Sequence, residues 1–210
     1  MKLILATKNA HKVQEFSRIL EPLGIEAVSQ TEMGIEDQAE ETGSSFAENS
    51  YLKAKGLFER TGMAVIADDS GIAVDALGGA PGIYSARYGG PGLTDAERTA
   101  LLLKEMESVP DGERGAQFVC AITLIASDGQ VYSIVDECPG IVGRAPRGEN
   151  GFGYDPVFMI GERSFSELSP EEKDAVSHRG KALRRLRECL TGILSAGEER
   201  GKEIKDGIDK

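Results

Sequence analysis

The feature that most restricts the fold of this chain is a hairpin signal set among helical patterns. Residues 117–126 and 130–136 are β-rich, and Ser127-Asp128-Gly129 separates them. A short turn of this composition joins antiparallel strands. The surrounding pattern differs. Residues 2–6 and 64–67 read as buried strands beside helical patterns, and residues 25–29 suit another strand. Val13, Phe16, Leu20 and Leu23 recur at helical spacing after the first strand, and Pro22 and Gly24 stand where that helix stops. Ser45 and Glu48 form a capping box before a helix with Ala47, Tyr51, Ala54 and Phe58 on one face, ended by Gly62. Thr94 with Glu97 opens a further helix, and Ser169-Pro170-Glu171-Glu172 opens another. The last helix is expected over residues 179–194, with Leu183, Leu186, Leu190 and Ile193 inward. Strands and helices interspersed with one hairpin predict an α/β fold with a mixed sheet. Residues 78–92 and 139–156 read as Gly/Pro-rich loops. One domain is expected over residues 1–195, and residues 196–210 form a charged tail expected to fray.

Composition narrows the function. A net charge of -11 argues against a nucleic-acid surface, which needs a basic stripe. It leaves room for a small phosphate ligand held by a few local cations. Cys120, Cys138 and Cys189 are widely spaced and odd in number, so they read as reduced thiols of a cytoplasmic protein. No stretch reads as a signal peptide or a membrane span. With His11 and His178 the only histidines, His-rich metal sites are excluded. The chain has neither a Walker-type Gly-Lys-Ser/Thr nor a Gly-x-Gly-x-x-Gly after a strand.

The chemistry concentrates in five segments. Ala67-Asp68-Asp69-Ser70-Gly71 follows the apolar run Met63-Ala64-Val65-Ile66. This predicts a strand that delivers Asp68 and Asp69 to its carboxyl end and stops at a small turn. Open α/β sheets bind ligands at that end. Adjacent carboxylates are costly to desolvate without a cation, and Mg²⁺ suits them beside phosphate. A solvated turn is the alternative. Thr7-Lys8-Asn9-Ala10-His11-Lys12 opens a helix, where free N–H groups favour phosphate and Lys12 adds charge. Glu40 or Glu41 could share a metal with the Asp pair, and Lys53 or Lys55 could reach a phosphate tail. Glycines on both sides of Phe152 let a flat ligand approach the ring, with Asp155 as acceptor for a purine edge. Lys173, His178 and Arg179 are donors suited to the acceptor edge of a 6-oxo purine. Each segment alone also suits a capped turn, a core-packed loop or a solvated helix face.

Together and in this order, these segments resemble the inosine/xanthosine triphosphate pyrophosphatase family, over residues 2–194. The resemblance implies a two-lobed α/β protein with a long central mixed sheet and the active site in the inter-lobe cleft. It also implies a homodimer and a Mg²⁺ requirement. The implied reaction converts inosine, xanthosine and deoxyinosine triphosphates (ITP, XTP, dITP) to monophosphate and pyrophosphate, clearing deaminated purines from the nucleotide pool. Thr7, Asn9 and Lys12, in the segment with Lys8, Ala10 and His11, would hold the triphosphate with help from Lys53. Asp69 would bind metal and orient or deprotonate water. Glu40 would be the second metal carboxylate, with Glu41 and Asp68 as further candidates. Ser70 would touch substrate and Phe152 would stack on the base beside Gly153 and Tyr154. Asp155, Lys173, His178 and Arg179 would line the base edge. Asp95-Ala96-Glu97-Arg98-Thr99 departs from the Asp-x-x-Asn-like pattern of the family. Two rival readings are a silent nucleotide-binding or sensing protein and a pyrophosphatase for modified pyrimidine nucleotides. The carboxylate set disfavours the first, and the His-Arg edge with its upstream lysine disfavours the second.

Overall fold

A computed structural model of the chain describes residues 2–37 and 39–188. Strands β1 (Lys2–Leu5), β2 (Glu26–Ser29) and β3 (Val65–Val74) are parallel, with β1 between the other two. Beyond β3 the pairing turns antiparallel through β4 (Gly115–Ile125), β5 (Val131–Val142), β6 (Phe158–Ile160) and β7 (Arg163–Ser164). The order across the seven-stranded sheet is β2-β1-β3-β4-β5-β6-β7. The expected mixed sheet is present, parallel where helices connect strands and antiparallel where the hairpin turns back.

The helices are α1 (Ala10–Leu20), α2 (Phe46–Thr61), α3 (Asp95–Glu105) and α4 (Pro170–Val176), with α5 over residues 178–188. Leu190, Ile193 and the tail lie outside the described residues. Asn9 caps α1, Thr94–Glu97 and Ser169–Glu172 form the expected capping boxes, and Gly62 ends α2 with a positive φ. Strand alternation divides the core. Ile66 joins Phe16 and Leu20 of α1 and Leu183 and Leu186 of α5 on one face. Val65 and Ala67 face Ala54 and Leu57 of α2 on the other. A third cluster, with Ile72, Leu102, Met106, Phe118, Phe158 and Phe165, fills the far end of the sheet. Burying each such large side chain contributes roughly 1.5–3 kcal/mol.

Several expectations are corrected. The strand at residues 64–67 does not stop at Asp68. It runs on to Val74, because Asp68 to Val74 pair with Ile122 to Ala116 of β4. Gly71 is therefore a mid-strand residue: a Cβ there would lie 2.3 Å from Ser85 Oγ and 2.6 Å from the Gly82 carbonyl oxygen. The glycine admits a neighbouring segment, not a turn. Strand β5 likewise runs past Asp136 to Val142 and takes up Pro139 and Gly140 from the expected loop. Tyr51 is exposed. The inner face of α2 instead carries Asn49, Ser50 and Lys53 beside Ala54 and Leu57. Glu48 accepts from Ser44 N and Oγ, one residue before the Ser45 cap, so the reciprocal box is shifted.

Candidate active site

The alternation of β3 also separates the two aspartates. Asp68 follows Ile66 onto the α1/α5 face, and Asp69 follows Ala67 onto the α2 face. Asp68 is fully buried among cations. Its Oδ1 accepts from Lys12 Nζ, from Ser70 Oγ at 3.2 Å and from Arg179 Nη2 at 3.4 Å. Its Oδ2 accepts from Arg179 Nε at 3.1 Å and from Cys120 Sγ at 3.0 Å. Burial pushes its pKa up, but Arg179 and Lys12 outweigh it and hold the carboxyl well below its usual range. All its acceptor capacity is engaged.

Asp69 differs. Its Oδ1 accepts from Lys53 Nζ at 2.8 Å, while Oδ2 is buried without a partner. Burial outweighs Lys53 and raises its pKa. Lys53 also donates to Glu41 Oε1 at 3.0 Å, and Arg87 Nη1 donates to Glu41 Oε2 at 2.5 Å. Glu41 is thus the member of the Glu40/Glu41 pair that reaches the Asp69 side, whereas Glu40 is exposed. Among the described residues no three carboxylate, imidazole or thiol groups gather into a metal cage. Asp69 Oδ2 and Glu41 still fit a Mg²⁺ ion that takes its other ligands from phosphate and water, as this ion commonly does.

On the Asp68 side, a cavity of about 250 Å³ opens between the start of α1, β3 and the aromatic loop. Asn9, Lys12, Ser70, Phe152, Gly153, Tyr154, Asp155, Lys173, His178 and Arg179 all line it. Asn9 Oδ1 accepts from His11 N at 2.9 Å and Lys12 N at 3.3 Å, and Thr7 Oγ1 accepts from Asn9 N at 3.2 Å. Lys8 and Ala10 are exposed and do not line the cavity; Lys8 lies 3.8 Å from Glu36. His11 stacks on Phe152 at 5.2 Å between ring centroids. Lys173 Nζ sits 4.8 Å from the Phe152 centroid, a cation–π approach. Asp155 Oδ2 accepts from Lys173 Nζ at 2.6 Å and from Phe152 N at 2.9 Å, so it fixes the aromatic loop as well as the lysine. His178 stacks on Phe118 at 4.7 Å, and its Nδ1 is buried without a partner. Burial, then Arg179 and Lys173, push its pKa well below the usual value, so the ring is neutral.

Sequence reasoning missed Glu15. It is buried on α1, accepts from Lys173 Nζ at 2.8 Å and pairs with Arg179 Nη1. Burial opposes ionisation, yet Arg179 and Lys173 hold its pKa at about 2. Its one sequence signal is its place one turn after Lys12 and next to the buried Phe16. Cys120, which donates to Asp68 from the β4 position paired with Ser70, gave none. Asp95 and Thr99 bear on the departure noted in α3. Asp95 Oδ2 accepts from Gly153 N at 2.9 Å, and Thr99 Oγ1 donates to Gly153 O at 3.3 Å. The start of α3 therefore clasps the peptide next to Phe152.

A mixed α/β sheet with a cation-lined, aromatic-walled cavity on one side of a central strand and a carboxylate–lysine pair on the other defines a nucleotide-hydrolase class of site. The comparisons agree. The Ham1 family model matches residues 3–189, and the chain belongs to that family. A dITP/XTP pyrophosphatase of Yersinia pestis is 48% identical over 193 residues, covering 90% of this chain and 98% of the relative. One from Geobacillus kaustophilus is 48% identical over 196 residues, covering 92% and 96%. Among solved structures, a HAM1 protein from Coxiella burnetii has a TM-score of 0.82 at 41% identity, covering 91% of this chain and 99% of that one.

Proposed function

We propose that this chain is a Mg²⁺-dependent pyrophosphohydrolase that converts ITP, dITP and XTP to monophosphate and pyrophosphate. The observation that carries the reading is Asp69 Oδ2, buried and unpartnered beside Lys53 and Glu41, one residue from the strand face that closes a purine-sized cavity. The dITP/XTP pyrophosphatase relatives support the substrate class.

Hydrolysis of a phosphoanhydride needs charge neutralisation and in-line positioning more than covalent chemistry. Asp69 and Glu41 would hold Mg²⁺, which supplies phosphate neutralisation and an acidified water. Glu41 replaces Glu40 in this role because it alone of the two reaches Lys53. Asp69, whose Oδ2 is buried without a protein partner, is the carboxylate placed to take a proton from the attacking water. Asp68 serves differently, holding Lys12 and Arg179 where the cavity meets β3. Asn9, Thr7 and Lys12 hold phosphate at the start of α1, and Lys53 assists from α2. Phe152 stacks on the base. Lys173, Arg179 and neutral His178 favour O6 of hypoxanthine or xanthine over the amine of adenine. Among the described residues no helix is long and apolar enough to cross a membrane. A cytoplasmic homodimer acting on free nucleotides completes the reading.

The test is pyrophosphate release across ITP, dITP, XTP, ATP, GTP and a pyrimidine triphosphate, with Mg²⁺ and with chelator. Pyrophosphate from the first three, dependent on Mg²⁺, is expected. Equal rates on ATP, or orthophosphate as the product, would contradict the reading.

A further inference from the structure

Arg87 lies in the Gly/Pro-rich 78–92 loop, outside the five segments where the chemistry was expected, yet it ends a chain of contacts that starts at Asp69. Asp69 Oδ1 meets Lys53, Lys53 meets Glu41 Oε1, and Glu41 Oε2 meets Arg87. The segment that delivers Arg87, a 3-10 helix over Gly82–Arg87, is fastened to the strand that carries Asp69. Ser85 Oγ accepts from Ile72 N at 3.0 Å, and Ser85 O accepts from Tyr154 OH at 3.0 Å. Gly71 has no Cβ where Ser85 and Gly82 approach. The backbone two residues before Arg87 is thereby fixed relative to the water site. The Arg87 side chain is 42% exposed, and its guanidinium carbon lies 5.1 Å from the Tyr84 ring centroid.

An exposed ion pair of this kind adds little stability, so stability alone is a weak reason for the arrangement. The charges give a better one. Lys53 and Arg87 balance Asp69 and Glu41 as the protein stands. A divalent cation on the two carboxylates leaves an excess of two positive charges, which suits a phosphate pair. Glu41 cannot give the same oxygens fully to Lys53, Arg87 and a metal. The planar guanidinium then has a fork free for phosphate oxygens. Ser85 and Ala86 line the base cavity, and Arg87, which follows them, reaches Glu41 on the Asp69 side, so this segment spans from the cavity to the carboxylates.

We propose that Arg87 is a further substrate-binding residue, which exchanges Glu41 for the β- and γ-phosphates and holds the pyrophosphate leaving group. This rests on the hydrolase reading above. The experiment is calorimetric binding of inorganic pyrophosphate and of inosine monophosphate, separately, in Mg²⁺, to the wild type, Arg87→Ala and Arg87→Lys. Arg87→Ala is expected to weaken pyrophosphate about tenfold, the size of one charge-assisted contact, and to leave inosine monophosphate within about twofold. Arg87→Lys should recover part of the loss, because it keeps the charge and loses the fork. Unchanged pyrophosphate affinity in Arg87→Ala, or an equal loss on both ligands, would overturn the proposal. Wild-type conversion of ITP to pyrophosphate, measured alongside, tests the hydrolase reading separately: its absence overturns that reading whatever Arg87 binds.

Discussion

At the scale of single residues, Asp68 and Asp69 acquire opposite chemistry because successive strand residues face opposite sides. Arg179 and Lys12 keep Asp68 ionised, while burial makes Asp69 more basic than an ordinary carboxylate. Glu15 is the third member of this charge system. Its pKa falls from 4.5 to about 2, worth roughly 3 kcal/mol of stability. Because the folded pKa is depressed, that contribution is present above 4.5 and is lost as pH falls towards 2. Glu15→Gln should therefore cost more stability at pH 7 than at pH 3, measured by urea unfolding at both. An equal cost at both would show that ionisation of Glu15 does not matter. Arg179 is a poor place to probe base reading by truncation, since its removal also takes one of two cationic partners from each of the buried Asp68 and Glu15. Neither Glu15 nor Cys120 was legible as a site residue. A glutamate on an amphipathic helix reads as solvated, and only the packing of α1 against α4 and α5 brings it to Lys173 and Arg179.

Among the elements, the hairpin was legible because its turn chemistry is local, and the caps of α1, α3 and α4 were legible for the same reason. The extent of β3 was not. Asp-Asp-Ser-Gly has the composition of a turn, but long pairing with β4 keeps it extended, a tertiary override of local preference. The polar inner face of α2 was hidden likewise, since Asn49, Ser50 and Lys53 are buried for the site and not for the apolar core. The role of Gly71 follows from this packing. Gly71→Ala should push the 82–87 segment off β3 and cost about 1–3 kcal/mol in urea unfolding. Gly112→Ala is the control: a Cβ there meets nothing within 4 Å, and a change within about 0.5 kcal/mol is expected. Matching costs at the two positions would mean that the close approach at Gly71 carries no energy.

For the molecule as a whole, a chain of net charge -11 gathers Lys12, Lys173 and Arg179 around one cavity, and places Lys53 between Asp69 and Glu41 with Arg87 on Glu41. The cations of the cavity are held by buried carboxylates, so their positions are set before any ligand arrives. The order of motifs along the chain was enough to indicate the family. What it could not give was the division of labour we propose across β3, with base recognition on one face and water activation on the other. The most direct test of that division is pyrophosphate release from ITP by Asp69→Asn, with thermal unfolding as the check on folding. A fall of about 10²–10⁴-fold with an intact fold is expected, the span of a lost general base. A folded Asp69→Asn that releases pyrophosphate at the wild-type rate would contradict the account.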